Sequence, residues 1–172
     1  MGRFKYYPCM RRILLIFVVI PILACAKQYN LYCVVDGNRL NDAVYENDSI
    51  RFEFSYAVNL YPDFLKVKII NKTESRVAVE WENVRLLDSP ICFRSDNLNT
   101  FNLPKANEVI HSKSSSTKEI GERQEPSERH EIFNLSTLKK RGHSYNELIL
   151  PIAYPSGEVI DYRIHLYLEL KK

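Results

Sequence analysis

From residue 31 onward the chain alternates apolar and polar side chains at period two and shows little of the 3.6-residue repeat of a helix. The last run is the clearest. Tyr162, Ile164, Leu166, Leu168 and Leu170 alternate with Arg163, His165, Tyr167 and Glu169. Successive side chains of a strand point to opposite faces, so such a run offers one face to a core and one to water. Ile50, Phe52, Phe54 and Tyr56 alternate with Arg51, Glu53 and Ser55 in the same way. Leu31-Tyr32-Cys33-Val34-Val35 is a further strand, closed by the turn signal Asp36-Gly37-Asn38. Leu65, Val67 and Ile69 alternate with Lys66 and Lys68, and Val77, Val79 and Trp81 with Ala78, Glu80 and Glu82. With Asn71-Lys72-Thr73-Glu74-Ser75 between them, these two runs read as a hairpin, with Trp81 as its core anchor. Residues 148–153 and 162–170 flank Tyr154-Pro155-Ser156-Gly157, a second hairpin loop.

Ile91-Cys92-Phe93 and Glu131-Ile132-Phe133 are short candidate strands. Residues 135–141 suit one or two helical turns, capped by Asn134 or Ser136 and stopped by Gly142. Residues 112–129 hold one aliphatic side chain and no aromatic, which predicts an exposed polar loop. About seven short strands with little helix predict an all-β fold: an antiparallel β-sandwich of immunoglobulin-like type, or alternatively a small β-barrel. At 172 residues, without an internal repeat, one domain over residues 31–172 is expected.

The N-terminus reads as a helical signal peptide over residues 1–24. Arg3, Lys5, Arg11 and Arg12 precede the apolar run 13–24. As a helix that run spans only ~18 Å, short of the ~30 Å hydrocarbon core, and Pro21 interrupts it. Removing those four from the 24 basic residues leaves 20 against 21 acidic ones, so the mature chain is close to neutral. That balance argues against nucleic acid as a partner.

Ile22-Leu23-Ala24-Cys25 resembles the bacterial lipobox. The resemblance implies cleavage before Cys25, acylation of that cysteine, and a lipidated tether over residues 25–30. Three acyl chains make attachment to a bilayer effectively permanent. Ala26 rather than Asp follows the cysteine, which by the enterobacterial sorting rule implies the outer membrane rather than the inner. The alternative is an ordinary signal peptidase site near Ala24 or Ala26.

With Cys9 in the leader and Cys25 acylated, Cys33 and Cys92 remain in a compartment that permits disulfides. They are read either as a bridge, worth ~4 kcal/mol for a loop of about 60 residues, or as two buried thiols. Together with the leader, the stretch KVKIINKTESRVAVEWENVRLLDS at 66–89 resembles small envelope lipoproteins of Bacteroidota. That resemblance implies a sandwich fold and an envelope location, and supplies no active-site residue.

No catalytic machinery stands out. His111, His130, His143 and His165 have no metal-ligand spacing, and there is no Cys-x-x-Cys, so neither metal nor cofactor is expected. Ser115-Ser116-Thr117-Lys118 matches a Ser-x-x-Lys pattern, but in a polar segment and without a following Lys-Thr-Gly. Glu80 and Glu82 alternate outward beside Trp81, with nothing to raise a pKa. Tyr61, Phe64 and Tyr154 place rings at loops, where they are candidate ligand contacts. The function expected is therefore a non-catalytic, membrane-anchored envelope lipoprotein, a binding, adhesion or assembly module. Its partner would be another envelope protein or a glycan. The alternative is a carbohydrate-binding accessory protein using its loop aromatics.

Overall fold

The computed structural model describes residues 29–35, 37–56, 64–94, 101–104, 107–122 and 131–171. The leader, Cys25, Tyr61 and residues 123–130 lie outside the described residues. Alternation becomes strand wherever the expectation was strongest. β12 (His143–Ala153) and β13 (Val159–Leu170) form one long antiparallel hairpin, in register from His143↔Glu169 to Ala153↔Val159. Its loop turns at Gly157, whose φ of 86° is left-handed and costs glycine little. β1 (Tyr29–Val35) adds to the outer side of β13, and β2 (Asn38–Leu40) folds back on β1 through Gly37, at φ 78°. β3 (Val44–Glu46), β4 (Ile50–Tyr56) and β5 (Leu65–Asn71) follow as neighbours.

β6 (Val77–Val79), β7 (Arg85–Leu86), β8 (Ser89–Arg94), β9 (Phe101–Asn102), β10 (Glu108–Ile110) and β11 (Ser115–Glu122) complete the sheet. Among the described residues one α-helix, α1 (Leu135–Arg141), packs on β12. Every strand pairing is antiparallel, and the path runs β2-β1-β13-β12-β7-β8-β11-β5-β4-β3. The fold is all-β, and the antiparallel sheet is nearly closed into a barrel.

Inward residues of the two halves meet in one core. Phe52 of β4 packs edge-on against Tyr162 of β13, ring centroids 5.1 Å apart. Ile50, Leu65, Val67 and Ile69 on one side, and Leu148, Leu150, Ile164 and Leu166 on the other, are fully buried. Each such side chain contributes ~1.5–3 kcal/mol of burial. Trp81 is buried as expected, but on a 3-10 turn, Trp81–Asn83, rather than on a strand.

Three expectations are corrected. β5 and β6 are not a hairpin: β5 pairs with β4 and β11, whereas β6 pairs with β10 and β12. The chain bends at residues 71–75 and crosses to the other half, and β10 and β11 bend beside it. Residues 112–129 are not simply a loop, because β11 occupies the middle of the sheet between β5 and β8. Its ladder is made by the backbone, and only Ile120 is needed as a large core side chain. Residues 131–133 are not a strand; they lead into α1 with Ile132 and Phe133 buried. Of the two readings left open for Cys33 and Cys92, the structure has the second, two separate buried thiols. Leu31, Cys33 and Val35 line the core, and in β8 Ile91 and Phe93 do. Alternation therefore turns Cys92 to the opposite face, with its Sγ 3.6 Å from the Gly121 carbonyl oxygen.

Candidate functional site

The two ends of the sheet, β2 and β3, are consecutive in the chain. The 3-10 turn Asn41–Ala43 joins them. Four Cα steps from Leu40 to Val44 can span at most ~14 Å, so the two edges are held side by side. Among the described residues β2 pairs only with β1, and β3 only with β4. The turn is strained: Asp42 and Ala43 lie at φ 60° and 49°, and Ala43 is buried. Left-handed backbone costs a non-glycine residue ~1–2 kcal/mol, and the surrounding packing holds it there.

Along this seam runs an open cleft of about 400 Å³, lined by Val35, Asn38, Leu40, Val44, Tyr45 and Glu46. Val35, Leu40 and Val44 supply its aliphatic surface, and Asn38 and Glu46 its polar groups. Tyr45 is fixed from within. Its ring stacks on Phe52 at 5.8 Å and meets Tyr162 edge-on at 5.8 Å. The Asn47 side-chain amide donates to the Tyr45 hydroxyl at 3.3 Å and to that of Tyr162 at 3.5 Å. Glu46 pairs with Lys72 at 2.8 Å and with Arg51 at 3.3 Å. The hydrogen bond from Lys72, with the charges of Lys72 and Arg51, holds the Glu46 carboxyl below the usual glutamate range. The lining offers apolar contact from Val35, Leu40 and Val44 and hydrogen-bonding groups from Asn38, Tyr45 and Glu46.

The residues singled out from sequence do not converge. Phe64 lies beside the Arg94 guanidinium, 5.6 Å from its ring centroid. Tyr154 packs against the core edge with its hydroxyl 2.7 Å from that of Tyr162, and burial followed by that hydrogen bond pushes its pKa up. Burial likewise pushes the Cys33 thiol up to about 11, against reactivity. Ser115 and Lys118, three apart on β11, face opposite sides of the sheet. Lys118 instead belongs to a structural cluster. Glu108 accepts hydrogen bonds from Trp81 Nε1 at 2.8 Å and from Ser116 Oγ at 2.7 Å, and pairs with Lys118 at 3.2 Å. Burial raises the Glu108 carboxyl, but these partners outweigh it and hold it below the usual range.

One row of residues escaped the sequence reading. Tyr32, Tyr167 and Tyr145 are direct cross-strand neighbours on the outer face. Tyr32 and Tyr167 stack at 5.2 Å with planes 6° apart, and Tyr145 lies on Tyr167 at 5.9 Å. The Arg39 guanidinium sits 3.7 Å over Tyr32. The signal was available, since each of the three tyrosines occupies an outward position of its strand. Among the described residues no three His, Cys, Asp or Glu side chains converge to hold a metal. No protein-family model matches the chain, and no curated protein matches it.

Proposed function

We propose that the chain is a lipid-anchored, non-catalytic binding module of the bacterial envelope, taking an extended segment of a protein partner along the seam between β2 and β3. One observation carries the recognition part: the sheet comes almost full circle and stops, leaving two neighbouring edges and an aliphatic cleft between them. An extended peptide can add to such an edge by backbone hydrogen bonds, with alternate side chains read by the cleft. The anchoring part rests on Ile22-Leu23-Ala24-Cys25 behind a basic, apolar leader, and Ala26 favours the outer membrane as the destination.

The test has two arms in cells. Radiolabelled palmitate should enter the wild type and not Cys25→Ala; equal labelling of both would end the lipoprotein reading. A photo-crosslinking residue placed at Asn38, on the cleft, should give a discrete adduct with an envelope protein. The same residue at Glu158, in the exposed loop after β12, should not. Equal yields at the two positions, or none at Asn38, would remove the seam as the recognition site.

A further inference from the structure

The lipobox and the fold together fix which end of the molecule lies near the bilayer. Cys25 and Tyr29 are four residues apart, so their Cα atoms are at most ~14 Å from one another whatever path the chain takes. The surroundings of Tyr29 are therefore within that reach of the acylated cysteine. Tyr29 pairs with Leu170 at the end of β13, and the Leu170 amide donates to the Gly142 carbonyl at 3.0 Å. The last turn of α1 thus lies at the same end of the barrel.

That end is basic. Lys139, Lys140 and Arg141 close α1, and Lys171 follows β13. All four are exposed, and none makes an ion pair with a described residue. Arg141, His143 and Lys171 face an open groove of about 560 Å³ with Asn30, Glu169 and Leu170. The acid there, Glu169, is already held by Arg39 at 3.1 Å. Two residues along β12 from His143, and ~7 Å up the strand, stands Tyr145, 57% exposed at the open end of the stacked row. Lysine and arginine are drawn to anionic headgroups, and tyrosine suits the interface because its ring is apolar and its hydroxyl polar. The far end of the same hairpin, ~34 Å away, carries exposed Glu158 and Asp161.

We infer that the end of the barrel carrying Lys139, Lys140, Arg141 and Lys171, with Tyr145 beside them, seats on the anionic phospholipid surface of the membrane that holds Cys25. This rests on the lipid-anchored reading and adds an orientation to it. The tether restricts the distance of this end, and the charge selects the face.

The test uses the full acylated chain in vesicles, with a fluorophore on Lys140→Cys or, separately, on Glu158→Cys. Energy transfer to a headgroup-labelled lipid reports the height of each position. In phosphatidylcholine vesicles containing about 30% phosphatidylglycerol, transfer from position 140 should exceed that from 158 by roughly twofold, since the two sit toward opposite ends of the β12–β13 hairpin, whose strand β12 is ~34 Å long. The difference should fall by at least about half in pure phosphatidylcholine, or in about 0.5 M salt, where the Debye length shrinks to a few ångströms. Lys139→Glu/Arg141→Glu/Lys171→Glu should abolish it. Equal transfer from both positions on the anionic vesicles, or a difference indifferent to lipid charge and salt, would overturn the inference while leaving the anchor intact. Absence of palmitate on Cys25 would overturn the anchored reading and the inference with it.

Discussion

Asn71 is fully buried at the bend between β5 and β6, and its side chain serves three parts of the chain at once. Its amide nitrogen lies 2.7 Å from the Ser75 carbonyl oxygen, 3.1 Å from that of Ile110 and 3.0 Å from that of His111. Its oxygen accepts from the Thr73 amide at 3.0 Å and from the Thr73 hydroxyl at 2.8 Å. Asn71→Ala should therefore cost about 3 kcal/mol in urea unfolding, because several buried backbone groups lose their partner. Asn71→Asp should not rescue it, since a carboxylate would face three carbonyls; stability equal to wild type would refute the bridging role. In the sequence, Asn-Lys-Thr-Glu-Ser reads as an exposed turn, and nothing local reveals that the amide is claimed by residues some forty positions away. Trp81 is buried although β6 ends at Val79, because the 3-10 turn keeps its ring on the core side, edge-on to Phe93 at 5.2 Å. Its partner Glu108 was invisible for the same long-range reason, yet it sets a pH signature. A carboxyl whose folded pKa lies below its unfolded value adds stability above the unfolded value, and loses it as pH falls through the folded one. Glu108→Gln should be less stable than wild type by about 1–2 kcal/mol at pH 7. That deficit should shrink below the ordinary glutamate value of ~4.3. Urea titrations of both proteins at neutral pH and near pH ~3 check it, and a constant deficit would mean the charge of Glu108 contributes nothing.

At the scale of elements, what was legible was whatever local chemistry decides. α1 is bounded as expected: the Asn134 side chain accepts from the Thr137 amide at 2.8 Å, and Gly142 closes the helix at φ 80° with its amide donating to the Leu138 carbonyl at 2.9 Å. Gly142→Ala meets no steric neighbour, so its cost is conformational alone, about 1 kcal/mol. Asn134→Ala should cost a similar amount through the lost cap. Thermal unfolding of the two variants, expected to fall by a few degrees each, measures both; no change at Gly142 would mean the helix end relaxes. Strand partners were not legible. Alternation says which residues of β5 and β6 face inward and nothing about whom they pair with, so a turn-like segment between two alternating runs reads as a hairpin whether or not the runs are partners. β11 failed in the opposite sense. Its side chains are polar because a strand flanked by β5 and β8 can be held by its ladder and one core residue, Ile120.

For the whole molecule, the closure of the sheet gives every strand an inside and an outside, and this decides the two cysteines. Cys33 points into the core with Leu31 and Val35; Cys92 points away from it, since Ile91 and Phe93 point in. β1 pairs with β13 and β2, while β8 pairs with β7, β9 and β11, so no ladder brings the two together. A disulfide needs Cα atoms within ~7 Å and Cβ vectors that converge. The spacing of the two cysteines in the sequence says nothing of their facing, which depends on how distant strands are arranged around the core. The expected outcome is two free thiols, also in protein purified under oxidising conditions. Both should resist alkylation in the folded state, Cys33 through burial at 0% exposure and a thiol raised to about 11, Cys92 through burial at 2%. Both should react after denaturation, and non-reducing peptide mapping should find no Cys33–Cys92 fragment. Finding that fragment would require β1 or β8 to slip by one residue, because a one-residue slip moves every side chain of a strand to the other face. A slip in β8 would expel Ile91 and Phe93 from the core, and one in β1 would expel Leu31 and Val35. Either would undo the near-closure of the sheet on which the seam between β2 and β3 depends.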